Sequence, residues 1–187
     1  MTKPRPLRAD ARRNRQRVLE VAEAVFAGEG LDVPIDEIAR RAGLGVGTLY
    51  RHFPTKEALF SAIVIGRVER ATRHAVALAA GEPGAAFFDL LAFLVAEGAA
   101  KKDFVAALAG AGIDVARSVA LPRREFRGAL AKLLARAQAA GAVRGDVTVE
   151  EVLALVVGLF AAIDRHPAGP RARDRLLALV GDGLRPR

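Results

Sequence analysis

No cysteine occurs in this 187-residue chain, so neither a disulfide framework nor a thiolate metal site can hold it together. Tryptophan is absent too, Tyr50 is the single tyrosine, and His52, His74 and His166 are the only histidines. With so little imidazole and no thiol, no metal and no cofactor are expected. The His-Glu-x-x-His spacing, the Gly-rich phosphate loop closed by Lys-Ser/Thr and the Gly-x-Ser-x-Gly elbow are all missing, and the chain is not expected to be an enzyme. Long apolar runs are missing as well. The longest, Val152 to Ile163, falls well short of the roughly 20 residues a helix needs to cross a bilayer. The first residues are charged with no apolar stretch behind them, which argues against a secretion signal. No membrane partner and a cytoplasmic location are therefore expected.

Acid is in short supply. Lys and Arg number 29 against 21 Asp and Glu, a formal charge of +8, and the imbalance is concentrated at one end. Lys3, Arg5, Arg8, Arg12, Arg13, Arg15 and Arg17 are opposed only by Asp10 in that stretch. The reading is a basic arm ahead of a first helix running from about Asp10 to Ala27. Such an arm is either a solvated terminus or a segment that touches a polyanion.

What the chain does contain is 52% apolar residues, enough for one or two units with a substantial core. Their spacing is helical nearly everywhere, with no hairpin signal between apolar runs. The fold class is therefore all-α. The most informative stretch is Ile35 to Phe60. Ile35, Ile38, Ala39 and Ala42 share one helical face, and Gly43 stands where a helix end needs a left-handed residue. After the turn, Val46 to His52 turns Leu49 inward, with Phe53 behind it, and leaves Val46, Gly47, Thr48, Tyr50, Arg51 and His52 outside. That outer set puts a hydroxyl, a phenol, a guanidinium and an imidazole on roughly 10 Å of helix, with no acid among them. Thr55 can cap the next helix and place Lys56 in its first turn. A cation is disfavoured there unless it serves an external anion. The pattern points to double-stranded DNA.

At these residues the chain resembles the TetR family of bacterial transcription regulators, whose signature passes through a helix-turn-helix into Thr-Leu-Tyr-x-His-Phe-x-x-Lys. Here it reads Thr48-Leu49-Tyr50-Arg51-His52-Phe53-Pro54-Thr55-Lys56, flanked by Asp36 to Gly43 before it and Glu57 to Phe60 after it. The resemblance implies that Val46 to His52 is a recognition helix in the major groove, with Thr48, Tyr50, His52 and Lys56 on phosphates. It also implies an N-terminal arm and DNA-binding domain over residues 1–54, an effector-binding and dimerisation domain over residues 55–187, and a shared linking helix over about 55–79. Gly45 and Pro34 stand where the family usually has Ser and Thr caps. Glycine at a cap costs only a few tenths of a kcal/mol relative to serine, so the fold should tolerate it. The competing reading is a helical ligand-binding or protein-interaction module that has lost DNA affinity.

Beyond the head, Gly81 to Gly84 breaks the chain before a helix that is apolar almost all round, and a weaker piece follows from Asp103 to Ala109. Gly110 to Gly112 and a segment reaching Pro122 carry no clear pattern. Arg123 to Ala140 is helical again. Thr148-Val149-Glu150-Glu151 has capping-box spacing, with Val147 placed to staple onto Val152. Helices over about 149–164 and 171–184 carry more apolar residues than one core face needs, so they are read as core, as the interface of a homodimer, or both. A dimer would offer paired recognition helices about 34 Å apart to a palindromic site. Phe87, Phe88, Phe93, Phe104, Phe126 and Phe160 fill a core or line a cavity. The resemblance implies a small apolar effector and ligand-responsive repression. His74, Asp89, Asp114, Arg117 and Glu125 are the polar groups within reach of such a cavity, and none is assigned.

Overall fold

The computed structural model describes residues 5–99, 108, 116–165 and 169–186. Among them it has eight helices: α1 (Arg5–Glu29), α2 (Ile35–Arg41), α3 (Val46–His52), α4 (Lys56–Leu78), α5 (Pro83–Ala99), α6 (Ala116–Ala139), α7 (Val149–Arg165) and α8 (Gly169–Leu184). No strand accompanies them among the described residues. The chain divides into two compact units; among the described residues it passes from one to the other inside α4, between Gly66 and Arg67, and again inside α6, between Val119 and Ala120.

The first unit holds α1 to α3 and the start of α4. Here α1 begins at Arg5, so from that residue the expected basic arm is helix. Leu, Arg, Ala and Gln all favour helix, and Pro6 lies in the first turn where its missing N–H costs nothing. The arginine run therefore propagates the helix instead of ending it. Val18, Leu19, Ala22, Val25 and Phe26 supply its buried face, and Gly30, at φ +88°, closes it with its N–H on the Phe26 carbonyl at 3.2 Å.

Between α2 and α3 the backbone makes a Schellman turn. Gly43 has φ +67°; its N–H donates to the Arg40 carbonyl at 3.1 Å, and that of Leu44 to Ala39 at 3.0 Å. Both orphan carbonyls are satisfied in a geometry that only glycine adopts cheaply. The core of this unit joins Ile35, Ile38, Leu49, Phe53, Leu59, Phe60 and Ile63 to the α1 face. Phe26 and Phe60 pack with ring centroids 4.9 Å apart. Arg41 bridges Glu29 at the end of α1 to Glu37 within α2.

In the second unit, Phe87, Leu90 and Leu91 of α5 pack with Phe126, Leu130, Leu133 and Leu134 of α6, Val152 and Val156 of α7, and Leu184 of α8. Glu82 caps α5, accepting from the Gly84 and Ala85 N–H groups at 2.9 and 2.6 Å. The expected start of α6 at Arg123 is corrected to Ala116, and Pro122 lies inside the helix. A proline two turns in removes one hydrogen bond without ending the element when its neighbours, here Ala116, Arg117, Ala120 and Leu121, favour helix. The capping box of α7 forms in full: Thr148 N–H donates to Glu151 Oε2 at 2.8 Å and Glu151 N–H to Thr148 Oγ1 at 3.2 Å. Val147 and Val152 join the same core. Of the stretch 103–115, only Leu108 is described, buried in the first unit's core; Phe104 and Asp114 lie outside the described residues, as do residues 166–168.

Candidate nucleic-acid interface

The short helix α3 is held from beneath and left bare above. Leu49 is fully buried and Phe53, its C-cap, nearly so. On the outer side Val46 is 40% and Tyr50 42% exposed, Gly47 and Arg51 are exposed, and Thr48 and His52 are half-buried. A methyl group added at Gly47 would meet nothing within 4 Å. The helix has no acid in its first turn and Arg51 and His52 in its last. Gly45, at φ −66° and ψ 140°, serves as N-cap without a side-chain bond. The first amides are still partly satisfied, since Thr48 and Leu49 donate to the Gly45 carbonyl at 2.9 and 3.2 Å. Other first-turn amides stay available to an external acceptor.

Pro54 and Thr55 separate α3 from α4. Thr55 Oγ1 accepts from the Ala58 N–H at 3.1 Å, the cap expected from sequence. Lys56 follows, and its ammonium stands 5.7 Å from the Phe26 ring centre and 5.9 Å from that of Phe60. Core aromatics rather than a carboxylate hold it, so its charge is positioned without being neutralised. Arg15 of α1 makes the equivalent contact on the neighbouring ring, with Cζ 5.3 Å from the centre of Phe53. In the sequence Arg15 is one member of an undifferentiated arm. The signal that singles it out is its spacing, three residues before Val18 and four before Leu19, which puts it on the buried face of α1.

Acids near this surface are engaged with the protein. Hydrogen bonds from Arg40 and Arg41 drive the Glu37 carboxyl down to about 2. Arg41 also lowers Glu29. Asp36 faces the Tyr50 phenol. Partial burial, followed by that carboxylate's charge and hydrogen bond, pushes the Tyr50 pKa up, so the phenol is a proton donor at any physiological pH. Among the described residues no carboxylate pairs with Arg51, Arg15 or Lys56. Apart from the Tyr50 phenol, which Asp36 engages, the outer face of α3 is polar, cationic at its end, and without an ion-paired carboxylate among the described residues.

Comparison with known proteins agrees with this geometry. Residues 18–63 match the family model for bacterial regulatory proteins of the tetR family, and residues 82–186 match that of the transcriptional regulator SbtR-like C-terminal domain. A crystal structure of the TetR transcription regulatory protein from Mycobacterium vanbaalenii is similar over 97% of this chain and 100% of its own, at 47% identity and a TM-score of 0.79. The chain belongs to the TetR family. A TetR transcriptional regulator from Streptomyces coelicolor shares 35% identity over 92% of this chain and 98% of that one, with a TM-score of 0.75. An HTH-type transcriptional regulator of Staphylococcus aureus is 46% identical over 54 residues, 28% of this chain and 29% of that regulator's length. TetR-family proteins are helix-turn-helix transcription regulators that bind DNA and act as dimers, and they are not enzymes. The present member has the helical head and helical C-terminal region of that family.

Proposed function

We propose that this TetR-family protein is a ligand-responsive repressor that binds a palindromic operator as a homodimer, working in the cytoplasm and on the nucleoid when bound to DNA. The observation that carries the reading is the acid-free outer face of α3, backed by a fully buried Leu49 and flanked by the ammonium of Lys56, which rests on aromatic rings. In this reading residues 1–54 bind DNA, residues 55–187 bind effector and dimerise, and the helix over about 55–79 links them. Thr48, Tyr50, His52 and Lys56 take phosphates. Val46 offers an apolar contact of the kind a thymine methyl accepts, Gly47 admits close approach, and Arg51 adds cationic reach.

Dimerisation is assigned to α7 and α8. Leu155, Val157 and Leu179 are exposed at 39%, 64% and 51%. An open groove of about 630 Å³ is lined by Leu155, Gly158, Leu159, Ala162, Val180 and Gly183, together with the charged Arg144, Asp146 and Glu151. Apolar side chains beside small ones suit the matching face of a second copy. The effector is a small apolar molecule accommodated near the half-buried Phe88, Phe93 and Phe160, which edge the second core. The His74 ring stacks on Phe93 at 4.0 Å between centroids. Effector binding shifts α4 between two positions and so changes operator affinity; a 100-fold change corresponds to about 2.7 kcal/mol of coupling.

A mobility-shift assay against DNA flanking the protein's own gene tests the reading. A retarded band at low salt that weakens with effector is expected. Failure to retard any duplex in dilute buffer would favour the alternative of a helical module without DNA affinity.

A further inference from the structure

A glycine in mid-helix lowers stability relative to alanine, and its use is to let another backbone or a ligand come close. Gly128 lies in the middle of α6, exposed, and a methyl group added there would meet nothing within 4 Å, so the protein's own packing gives no reason for it. Its face is shared by Leu121 seven positions earlier, by Arg124 and Lys132 one turn to either side, and by Ala131 and Ala135. All are exposed, on the side opposite the buried Phe126, Leu130, Leu133 and Ala137. Leu121, at 64% exposure, is among the most solvated large apolar residues described. The stretch from Leu121 to Ala135 lies wholly in the second unit and is about 21 Å long at roughly 1.5 Å per residue. It belongs neither to the helices assigned to dimerisation nor to the rings placed around the effector.

Charge indicates what covers this face. From Arg123 to Lys132 the helix carries four cations, with Glu125 its single acid. Arg127 is paired with Glu150 of α7, whereas Arg123, Arg124 and Lys132 have no carboxylate among the described residues. The acids of the same unit are largely engaged at home: Glu97, Asp146, Glu150, Asp174 and Asp182 hold its own arginines, and Glu82 holds backbone amides. A second copy of the chain therefore brings little free negative charge to the face. A phosphate surface is matched by cations throughout, but here they are interleaved with Leu121, Gly128, Ala131 and Ala135. Apolar area beside arginine suits a protein partner, and the small side chains admit a helix at close range.

We infer that the outer face of α6, from Leu121 to Ala135, docks an acidic amphipathic helix of another protein, with Gly128 at the point of closest approach and Arg124 and Lys132 on its carboxylates. The inference goes beyond the proposed function, since it requires neither operator nor effector. Exposed ion pairs of this kind are individually weak, and a single helix face is at the small end of interface sizes. The complex is accordingly transient and sensitive to salt.

The probe is a fluorescein-labelled, alanine-based helical peptide of about 20 residues, with leucine along one stripe and glutamate on both flanks. Its anisotropy is read as full-length protein is titrated in. Wild type should bind it in dilute buffer, with affinity falling several-fold between about 50 and 200 mM salt. Arg124→Glu/Lys132→Glu should weaken binding by about 10-fold or more, as exposed attractions become repulsions. Gly128→Leu should raise Tm by about 2 °C yet block the peptide, which separates a lost docking face from a damaged fold. Both variants should bind duplex DNA as wild type does. No binding of the peptide by wild type in dilute buffer would overturn the inference. Equal binding of a peptide with the same composition in scrambled order would overturn it too, as would wild-type affinity in both variants, which would place the contact on another basic surface. Loss of duplex or anionic-vesicle binding in the variants would overturn it in favour of a phosphate surface.

Discussion

Replacing Gly47 by alanine sets stability and DNA affinity against each other. Gly47 is the second residue of α3, on its exposed side, and a methyl group there meets nothing within 4 Å in the protein. The substitution removes the backbone entropy penalty of glycine in a helix, about 0.5 to 1 kcal/mol. For a chain of this size that raises Tm by roughly 1 to 4 °C. If α3 lies against a duplex, the same methyl enters the space that the DNA occupies. Overpacking a close interface costs about 1 to 3 kcal/mol, or roughly 5-fold to over 100-fold in affinity. Thermal unfolding and operator titration on the same sample give both quantities. A variant that is more stable and binds operator as well as wild type would show that Gly47 does not face DNA. A less stable variant would refute the placement of its backbone.

Four further outcomes follow from the same geometry. Lys56→Ala and Tyr50→Phe should each weaken binding to every duplex sequence, Lys56→Ala with the salt slope lowered by about 0.9 and Tyr50→Phe, which removes a neutral donor, with the slope unchanged; unaltered affinities would remove those roles. Gly98→Ala should destabilise the second unit, because its methyl would lie 2.1 Å from the Phe160 ring. The cost is about 1 to 3 kcal/mol, seen as a Tm drop of roughly 2 to 12 °C, and Phe160→Leu in the same chain should recover part of it. Leu155→Asp with Leu179→Asp should convert dimer to monomer by sedimentation while circular dichroism keeps its helical signal; a persisting dimer would place the interface elsewhere. Glu37, held near 2 by Arg40 and Arg41, lies below its ordinary value of about 4.3, so its contribution to stability is complete above that ordinary value and lost as pH falls toward 2. Glu37→Gln should flatten acid unfolding over that window, and an unaltered acid curve would show that the ion pairs carry no net stability.

The elements legible in sequence are those with local punctuation. Gly43 and Pro54 bracket α3, and Thr148 with Glu151 opens α7, because a positive φ, a missing N–H or a reciprocal cap each acts within a few residues. The errors fall where such a signal is overruled. The arginines of α1 read as an arm through their charge, yet their backbone propensity is helical. Pro122 reads as a boundary, yet α6 accommodates it two turns after starting at Ala116. The packing across the head is the least legible. Which rings seat Arg15 and Lys56 depends on how α1, α3 and α4 come together, and the spacing of Arg15 to Val18 and Leu19 is the only trace of this in the chain. Exposure on α7 is only half legible: Val157 lies off the stripe formed by Val152, Val156 and Leu159, whereas Leu155 does not stand out until its neighbours are in place.

The proposed function depends on the bare face of α3 entering a duplex. Selection from a random duplex pool by the purified protein, followed by titration of the winning sequence from 50 to 200 mM salt, tests it most directly. Enrichment of a palindrome with half-sites about one helical turn apart is expected, bound with an affinity that falls steeply with salt and is abolished by Leu49→Asp, which buries a charge beneath α3. A pool that returns unenriched, or binding indifferent to both salt and the Leu49 substitution, would contradict it.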